Sequence, residues 1–420
     1  MKRIRTFEEY GRTGLKQYGG FIDEEALPVL KGSRGAKIFS KMADNDPTIG
    51  AVLFVVNMYL RRVSWWLEPK WESKEEQEAK DFVEGCLDDM SISWNETLSE
   101  ILTMIIYGWS FLEIVYKRRL GPEGVDHHHS KFSDGKIGWR KWSPRSQDSL
   151  YRWEFDENGN LNAMVQMPPS DYQIRTIPLE KALLFRIMST KGNPEGKSML
   201  RNAYRPWYYK VNMEDIEAIG IERDLAGLPV IWIPPNVAAK VTDEDKAAFS
   251  EYLKIVKNLR RDEEEGILVP LSYDENGNKL YDISLLSTGG RRQIDTGAII
   301  ERYDIRIAMV MLADFLLLGH EKTGTYSLGE SKNKLFTQAL SAILDSIAEV
   351  INANAIPRLL ALNGMEAGSL PQLVHDKVED VDLAKLGRFI SDIARANISL
   401  ASDEELENHL RTAADLPKRG

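Results

Sequence analysis

Apolar residues at positions 49, 53, 56 and 60 recur with a helical period, and Asp46-Pro47 stands where that helix needs a cap and a first-turn proline. The pattern predicts a charged surface helix over 74–90 (KEEQEAKDFVEGCLDDM). It predicts a further helix from Trp94, with Leu98, Ile101, Leu102, Ile105 and Ile106 on one face. After Gly108 the period falls to that of strands, over 111–116, 137–142, 151–155 and 161–167, with a polar loop at 118–135. Asp-Glu-Asn-Gly-Asn follows Phe155 and recurs at 274–278; both copies suit hairpin turns, because Asn-Gly tolerates positive φ. Two copies without a fixed period do not make a repeat protein.

Helical spacing returns over 198–226, with Trp207, Val211, Ala218, Ile221 and Leu225 as one stripe, Pro206 beginning or kinking it, and Gly227 and Pro229 ending it. A small α/β unit follows. Its strand 230–233 leads to a helix capped by Thr242 with Asp245 three residues on, then to strands 267–271 and 280–286. A second long helix is expected over 291–318, about 40 Å at 1.5 Å per residue. The polar loop GHEKTGT comes next, then a helix over 331–363 with Pro357 as a kink, and an acidic helical tail over 380–415. The strands entering and leaving the insert are paired neighbours, so the two long helices must lie side by side. Residues 1–43, polar and glycine-rich, read as an extended arm or loosely packed lead-in.

The 420 residues suffice for two or three folded units, and 43% hydrophobic with 28% charged residues is ordinary for a globular protein. A net charge of -10 makes the chain as a whole a poor ligand for nucleic acid, so any DNA contact must be local or weak. The lone Cys86 excludes an intrachain disulfide and a cysteine zinc site, and suits a reducing compartment. The start, MKRIRTFEEY, lacks the apolar core of a signal peptide, and the longest apolar run, 307–318, is too short to span a bilayer. Ten tryptophans suggest aromatic core or interface contacts.

One stretch invites a catalytic reading. KGNPEGKSML carries Gly196-Lys197-Ser198 between a strand and a helix, the setting of an ATP-binding phosphate loop. That loop needs a glycine five residues before Gly196, where backbone N–H groups can wrap the phosphates; Lys191 stands there, and Gly192 is one residue too close. No strand of four aliphatics ending in acid offers a Mg²⁺ ligand. The alternative is a turn that opens a helix at Ser198.

Several segments in order resemble the portal proteins of tailed bacteriophages, most closely the Mu-like branch. They are DNDPTIGAVLFVV with SWWLEP, IIYGWSFLEIVYKRR, SPRSQDSLYRWEFDENG, GNPEGKSMLRNAYRPWYYK, ERDLAGLPVIWIPP and MLADFLLLG, and the resemblance runs from about Asp46 to the C-terminus. It implies an α+β portal fold that assembles as a ring, usually of twelve copies, at one capsid vertex. The implied parts are an N-terminal arm (1–45), a wing (46–197), a first stem helix (198–226), a clip (227–286), a second stem helix (287–318), a tunnel loop (319–330), a kinked wing helix (331–363) and a helical crown (364–420). In this reading Gly196-Lys197-Ser198 is the turn from wing sheet to stem. The implied partners are further copies of the chain, double-stranded DNA in the channel, the terminase large subunit, a head–tail adaptor and a capsid or scaffolding protein. No membrane, cofactor, metal or catalytic residue is implied, and the implied location is the virion, after assembly in the host cytoplasm.

A conduit should hold DNA weakly, since each neutralised phosphate adds a counterion-release term that raises friction. A net-acidic chain with a few placed cations suits that need. The candidates to face DNA are Lys322, His320, Thr323 and Thr325 in the loop, and Arg291 and Arg292 at the stem. The clip residues Asp262, Glu263, Glu264, Glu265, Lys254 and Lys257 are candidates to dock a partner, because a charged rim selects what approaches. The acidic run is a poor Mg²⁺ site, since four consecutive carboxylates point in different directions. His127, His128 and His129 are adjacent and without a nearby cysteine, a poor coordination sphere. Two other functional classes remain: a packaging ATPase using Lys197 and Ser198, and another capsid or tail structural protein.

Overall fold

The protein was analysed as a computed structural model, which describes residues 11–70, 73–124, 128–226, 228–259, 282–286, 295–313, 326–365 and 370–378. The chain forms two compact units. One comprises Met1–Tyr204 with Ile307–Gly420, and the other is the insert Arg205–Arg306.

In the first unit, short strands β1 (Gln17–Tyr18) and β2 (Phe21–Ile22) lead to helix α1 (Gly32–Asn45). The expectation of an extended arm is corrected here. Leu30, Phe39 and Met42 are buried, and Gly35 lies against the Leu30 backbone so closely that a Cβ would sit 2.2 Å from its carbonyl oxygen. Helix α2 (Pro47–Arg62) begins as expected: the Asp46 carboxylate accepts the Ile49 N–H at 2.9 Å, and Ile49, Leu53, Val56 and Leu60 are buried. Strand β3 (Trp65–Glu68) precedes α3 (Lys74–Asp88) and α4 (Trp94–Tyr107), whose caps Ser73 and Ser93 accept N–H groups from Glu76 and Glu96. Gly108, at φ +93°, ends α4 and turns the chain into the sheets.

Two antiparallel three-stranded sheets follow. β4 (Trp109–Arg118) lies between β5 (Ile137–Arg145) and β9 (Ala182–Arg186); β7 (Leu161–Gln166) lies between β6 (Leu150–Phe155) and β8 (Arg175–Pro178). The first Asp-Glu-Asn-Gly string forms the β6–β7 turn, with Gly159 at φ +85° and Asp156 accepting from Asn160. Trp109, Phe111, Ala182 and Leu184 of the first sheet pack with Trp153, Met164 and Ile177 of the second, and the Trp109 and Trp153 rings meet edge-on at 5.2 Å. A second aromatic cluster joins Trp65, Trp94, Trp142 and Trp139 at centroid distances of 5.4, 6.2 and 5.1 Å. The tryptophans are thus largely core.

The second unit starts in α5 (Tyr204–Ala226). It continues through β10 (Leu228–Trp232), α6 (Pro235–Ala239), α7 (Asp243–Leu259) and β11 (Asp282–Leu286) into α8 (Thr296–Val310). β10 and β11 pair antiparallel, Leu228 opposite Leu286 through Trp232 opposite Asp282. The expected strand 267–271 and the second Asp-Glu-Asn-Gly string lie outside the described residues.

Helix α8 is shorter than the expected 291–318. It stops at Val310, where Leu312 adopts φ +55° and the Ala313 N–H reaches back to the Ala308 carbonyl at 2.9 Å. This closing loop usually employs glycine, so the sequence carried no visible stop signal. Residues 291–294 and 314–318 lie outside the described residues.

The first unit resumes with α9 (Tyr326–Val350), a π-helical turn over Ile351–Ala355, and α10 (Ile356–Leu362). The wide turn abuts Pro357, which has no N–H to continue the ladder, so the expected kink is a π-bulge. Phe336, Leu340, Leu344, Ile347 and Ile351 are buried, which explains the apolarity of this long helix. β12 (Gln372–His375) pairs with β3, joining segments some three hundred residues apart. The acidic tail expected over 380–415 lies outside the described residues.

Candidate conduit and docking surfaces

In the insert, α5 and α8 run antiparallel in direct contact. The Lys210 ammonium lies 2.6 Å from an Asp304 carboxylate oxygen, the Tyr209 and Tyr303 rings stack at 6.4 Å, and the Thr296 hydroxyl donates to Glu217. Contacts therefore advance seven residues along α5, from 210 to 217, while receding eight along α8, from 304 to 296. Lys210 is only 2% exposed, and Asp304 and, at 3.9 Å, Glu214 face its ammonium, as a cation in that position requires. The side-by-side placement of the two helices, inferred from the entering and leaving strands, is present. Sequence reading missed this ion pair, although Lys210 neighbours Val211 and lies one turn from Trp207 on the predicted stripe.

The insert also contains the capping box read from the sequence. Asp245 accepts the Thr242 N–H at 2.9 Å and its own N–H donates to the Thr242 hydroxyl at 3.1 Å. Lys254 is exposed on α7, and Lys257 follows one turn later on the same helix. Asp262, Glu263, Glu264 and Glu265 lie outside the described residues. So do His320, Lys322, Thr323 and Thr325 of the expected loop, and Arg291 and Arg292.

The Gly196-Lys197-Ser198 stretch is resolved in detail. Gly196 has φ +55°, and the Lys197 N–H donates to the Ile187 carbonyl at 2.9 Å instead of pointing into a cradle. The Ser198 hydroxyl donates to the Ile106 carbonyl and accepts the Leu200 N–H at 3.0 Å. Both Gly108 and Gly196 are required here: a Cβ on Gly196 would lie 2.3 Å from the Gly108 carbonyl oxygen, and one on Gly108 would lie 2.6 Å from that of Glu195. The stretch locks the end of α4 to the end of β9.

Beside this turn lies a cavity of about 470 Å³, lined by Glu24, Glu25, Trp109, Gln147, Glu195 and Arg201, among others. Two of its carboxylates are paired, Glu25 with Arg201 and Glu24 with Lys191. Burial pushes the Glu195 carboxyl up to about 7, while the Trp153 indole N–H donates to it at 3.2 Å.

His128 accepts the Arg118 N–H through Nδ1 at 3.0 Å, and the His129 carbonyl accepts from Lys117, so both serve the loop; His127 lies outside the described residues. No group of three or more His, Cys, Asp or Glu side chains is arranged to hold a metal among the described residues. Burial raises the Cys86 thiol to about 11, far from a reactive thiolate.

The family model described as "Portal protein of Mu bacteriophage" matches residues 36–411, starting ten residues before the resemblance suggested. Among solved structures, a chain of the virion of a native gene transfer agent particle is similar, with TM-score 0.52 and 9% identity, covering 91% of this chain and 94% of that one. A chain from the neck of an empty gene transfer agent particle, computed with C6 symmetry, gives TM-score 0.50 at 11% identity, covering 90% and 94%. At these identities the likeness is one of fold.

Proposed function

The chain belongs to the family of Mu bacteriophage portal proteins, and on that premise we propose that copies of it close into a ring whose lumen passes double-stranded DNA. It is a viral portal protein of the virion's portal vertex, and its fold is the mixed helix-and-sheet fold of that class. The observation that best supports the conduit reading is the antiparallel stem. Two helices are held together by the pair of buried Lys210 with half-buried Asp304 and joined beyond by the β10–β11 ladder. Such a rigid rod, repeated around an axis, leaves a hole without needing any catalytic group.

The parts then take on roles. The wing (46–197) and kinked helix (331–363) brace the ring, the clip (227–286) faces the terminase and later the head–tail adaptor, and the crown (364–420) lies inside the head. Lys322, with His320, Thr323 and Thr325 in 319–330, and Arg291 and Arg292 at the start of the second stem segment are the residues we propose to meet DNA. A chain with net charge -10 supplies only weak attraction, as a sliding duplex requires.

The packaging-ATPase alternative is disfavoured, because the Lys197 N–H and the Ser198 hydroxyl are already engaged by the fold. A protein of this structural family needs no turnover chemistry. Deleting residues 320–326 tests the conduit role: rings should assemble at wild-type yield while particles fail to package or retain DNA. Rings that no longer form would instead make the loop an assembly element.

A further inference from the structure

The stem pair has two chemically opposite flanks. On one, Arg205 lies over the Tyr209 ring at 5.8 Å, and Arg302 and Arg306 lie over the Tyr303 ring at 5.4 and 6.0 Å. These three exposed guanidiniums make no ion pair among the described residues; the stacked tyrosines hold them in place. At 100° per residue, Glu301 and Glu214 project from the other flank, on the far side of the Lys210–Asp304 contact. Glu301 is exposed and without an ion pair among the described residues, and Glu214 is 44% exposed.

We propose that the basic flank of one copy docks on the acidic flank of the next, so that a charge-matched seam between neighbouring stems closes the ring. This rests on the portal reading above. Copies related by rotation about an axis along the stem carry the same residue at the same height. Glu301 and Arg302 are one residue apart, about 1.5 Å of rise, so they meet across such a seam. The contacts at 210–304 and 217–296 put Glu214 level with residue 300, beside Glu301. Two unlike flanks make a head-to-tail contact, which closes by rotation, and not the self-matching face of a twofold dimer.

Phosphate would also suit bare guanidiniums, but the same flank exposes Ile216 at 59% and Ile219 at 48%. Apolar and aromatic groups beside arginine are the composition of a protein interface.

Two variants give the test. Arg302→Glu with Arg306→Glu turns the basic flank acidic, and Glu301→Arg cancels the charge of the acidic flank, where Glu214 remains. By sedimentation velocity at moderate salt, each variant alone should lose ring, by about tenfold in the association constant of each interface. Mixed in equal amounts, the two should form rings of alternating copies, and wild-type rings should weaken as salt is raised. Unchanged circular dichroism would show that each chain still folds. The proposal is overturned if either variant assembles as wild type does, or if mixing restores nothing. It is also overturned if the acidic variant keeps its rings but loses affinity for a fluorescent 30-base-pair duplex; that outcome would make the flank a phosphate contact. If wild-type chain forms no ring at any salt, the portal reading falls with it; wild-type rings beside indifferent variants sink the seam alone.

Discussion

Replacing Gly196 by alanine should damage the protein far more than replacing Lys197, the reverse of what a phosphate loop requires. The left-handed backbone at φ +55° costs a side chain about 1–2 kcal/mol. The new Cβ would also sit 2.3 Å from the Gly108 carbonyl oxygen and 2.7 Å from that of Ile187. Neither oxygen is free to retreat, since the first accepts the Ile187 N–H and the second the Lys197 N–H, both at 2.9 Å. Losing one of these buried hydrogen bonds adds about 1–3 kcal/mol. A total near 3 kcal/mol corresponds to a fall of roughly 4–5 °C in the midpoint of the affected unit. Lys197 is exposed, so Lys197→Ala should stay within about 0.5 kcal/mol of wild type. Differential scanning fluorimetry of both variants, with and without Mg-ATP, reads the contrast. A nucleotide site occupied at a hundred times its dissociation constant would add about 2.7 kcal/mol to the wild type and lose it in Lys197→Ala. A Gly196→Ala protein that melts as wild type does, or nucleotide-dependent stabilisation that Lys197→Ala abolishes, would refute the reasoning.

Glu195 should make the first unit pH-sensitive. Its folded carboxyl titrates near 7 against an ordinary value of 4.5, so the folded state holds the proton more tightly. Stability is therefore full below about pH 4.5 and falls as pH rises through 7, by about 3 kcal/mol. Glu195→Gln keeps the Trp153 hydrogen bond and should flatten that slope in melts from pH 5 to 8; an unchanged slope would locate the titration elsewhere. Between α5 and α8, Lys210→Met alone removes the ammonium that faces Asp304 and should cost about 1–3 kcal/mol in urea denaturation, while Lys210→Met with Asp304→Leu should recover most of it. Equal losses in the single and double variants would count against a buried pair.

Local signals carried most of what could be read beforehand. Asp46 and Thr242 mark helix starts whose hydrogen bonds the structure contains, and the pairing of α5 with α8 followed from strands that had to meet. The β3–β12 pair was invisible, because nothing in Trp65–Glu68 specifies a partner some three hundred residues away. Helix α1 was overlooked because glycines at 32 and 35 weaken its propensity, and Lys31 supplies no side-chain cap. Its Phe39 and Met42 spacing was the available clue. The end of α8 was misread because leucine occupies a position where glycine would have announced the stop. Of the candidate site, the Gly196 turn was legible from its loop length. The arginine flank was not, since it combines residues from two helices separated by the whole insert.

The central claim is that this chain closes around a lumen with its paired helices ranged about the axis. Electron microscopy of the purified full-length protein tests it most directly. Top views should show a ring with a central hole, and side views a narrow stem formed by α5 and α8. Discrete monomers at every concentration, or curved shell fragments without a hole, would contradict it.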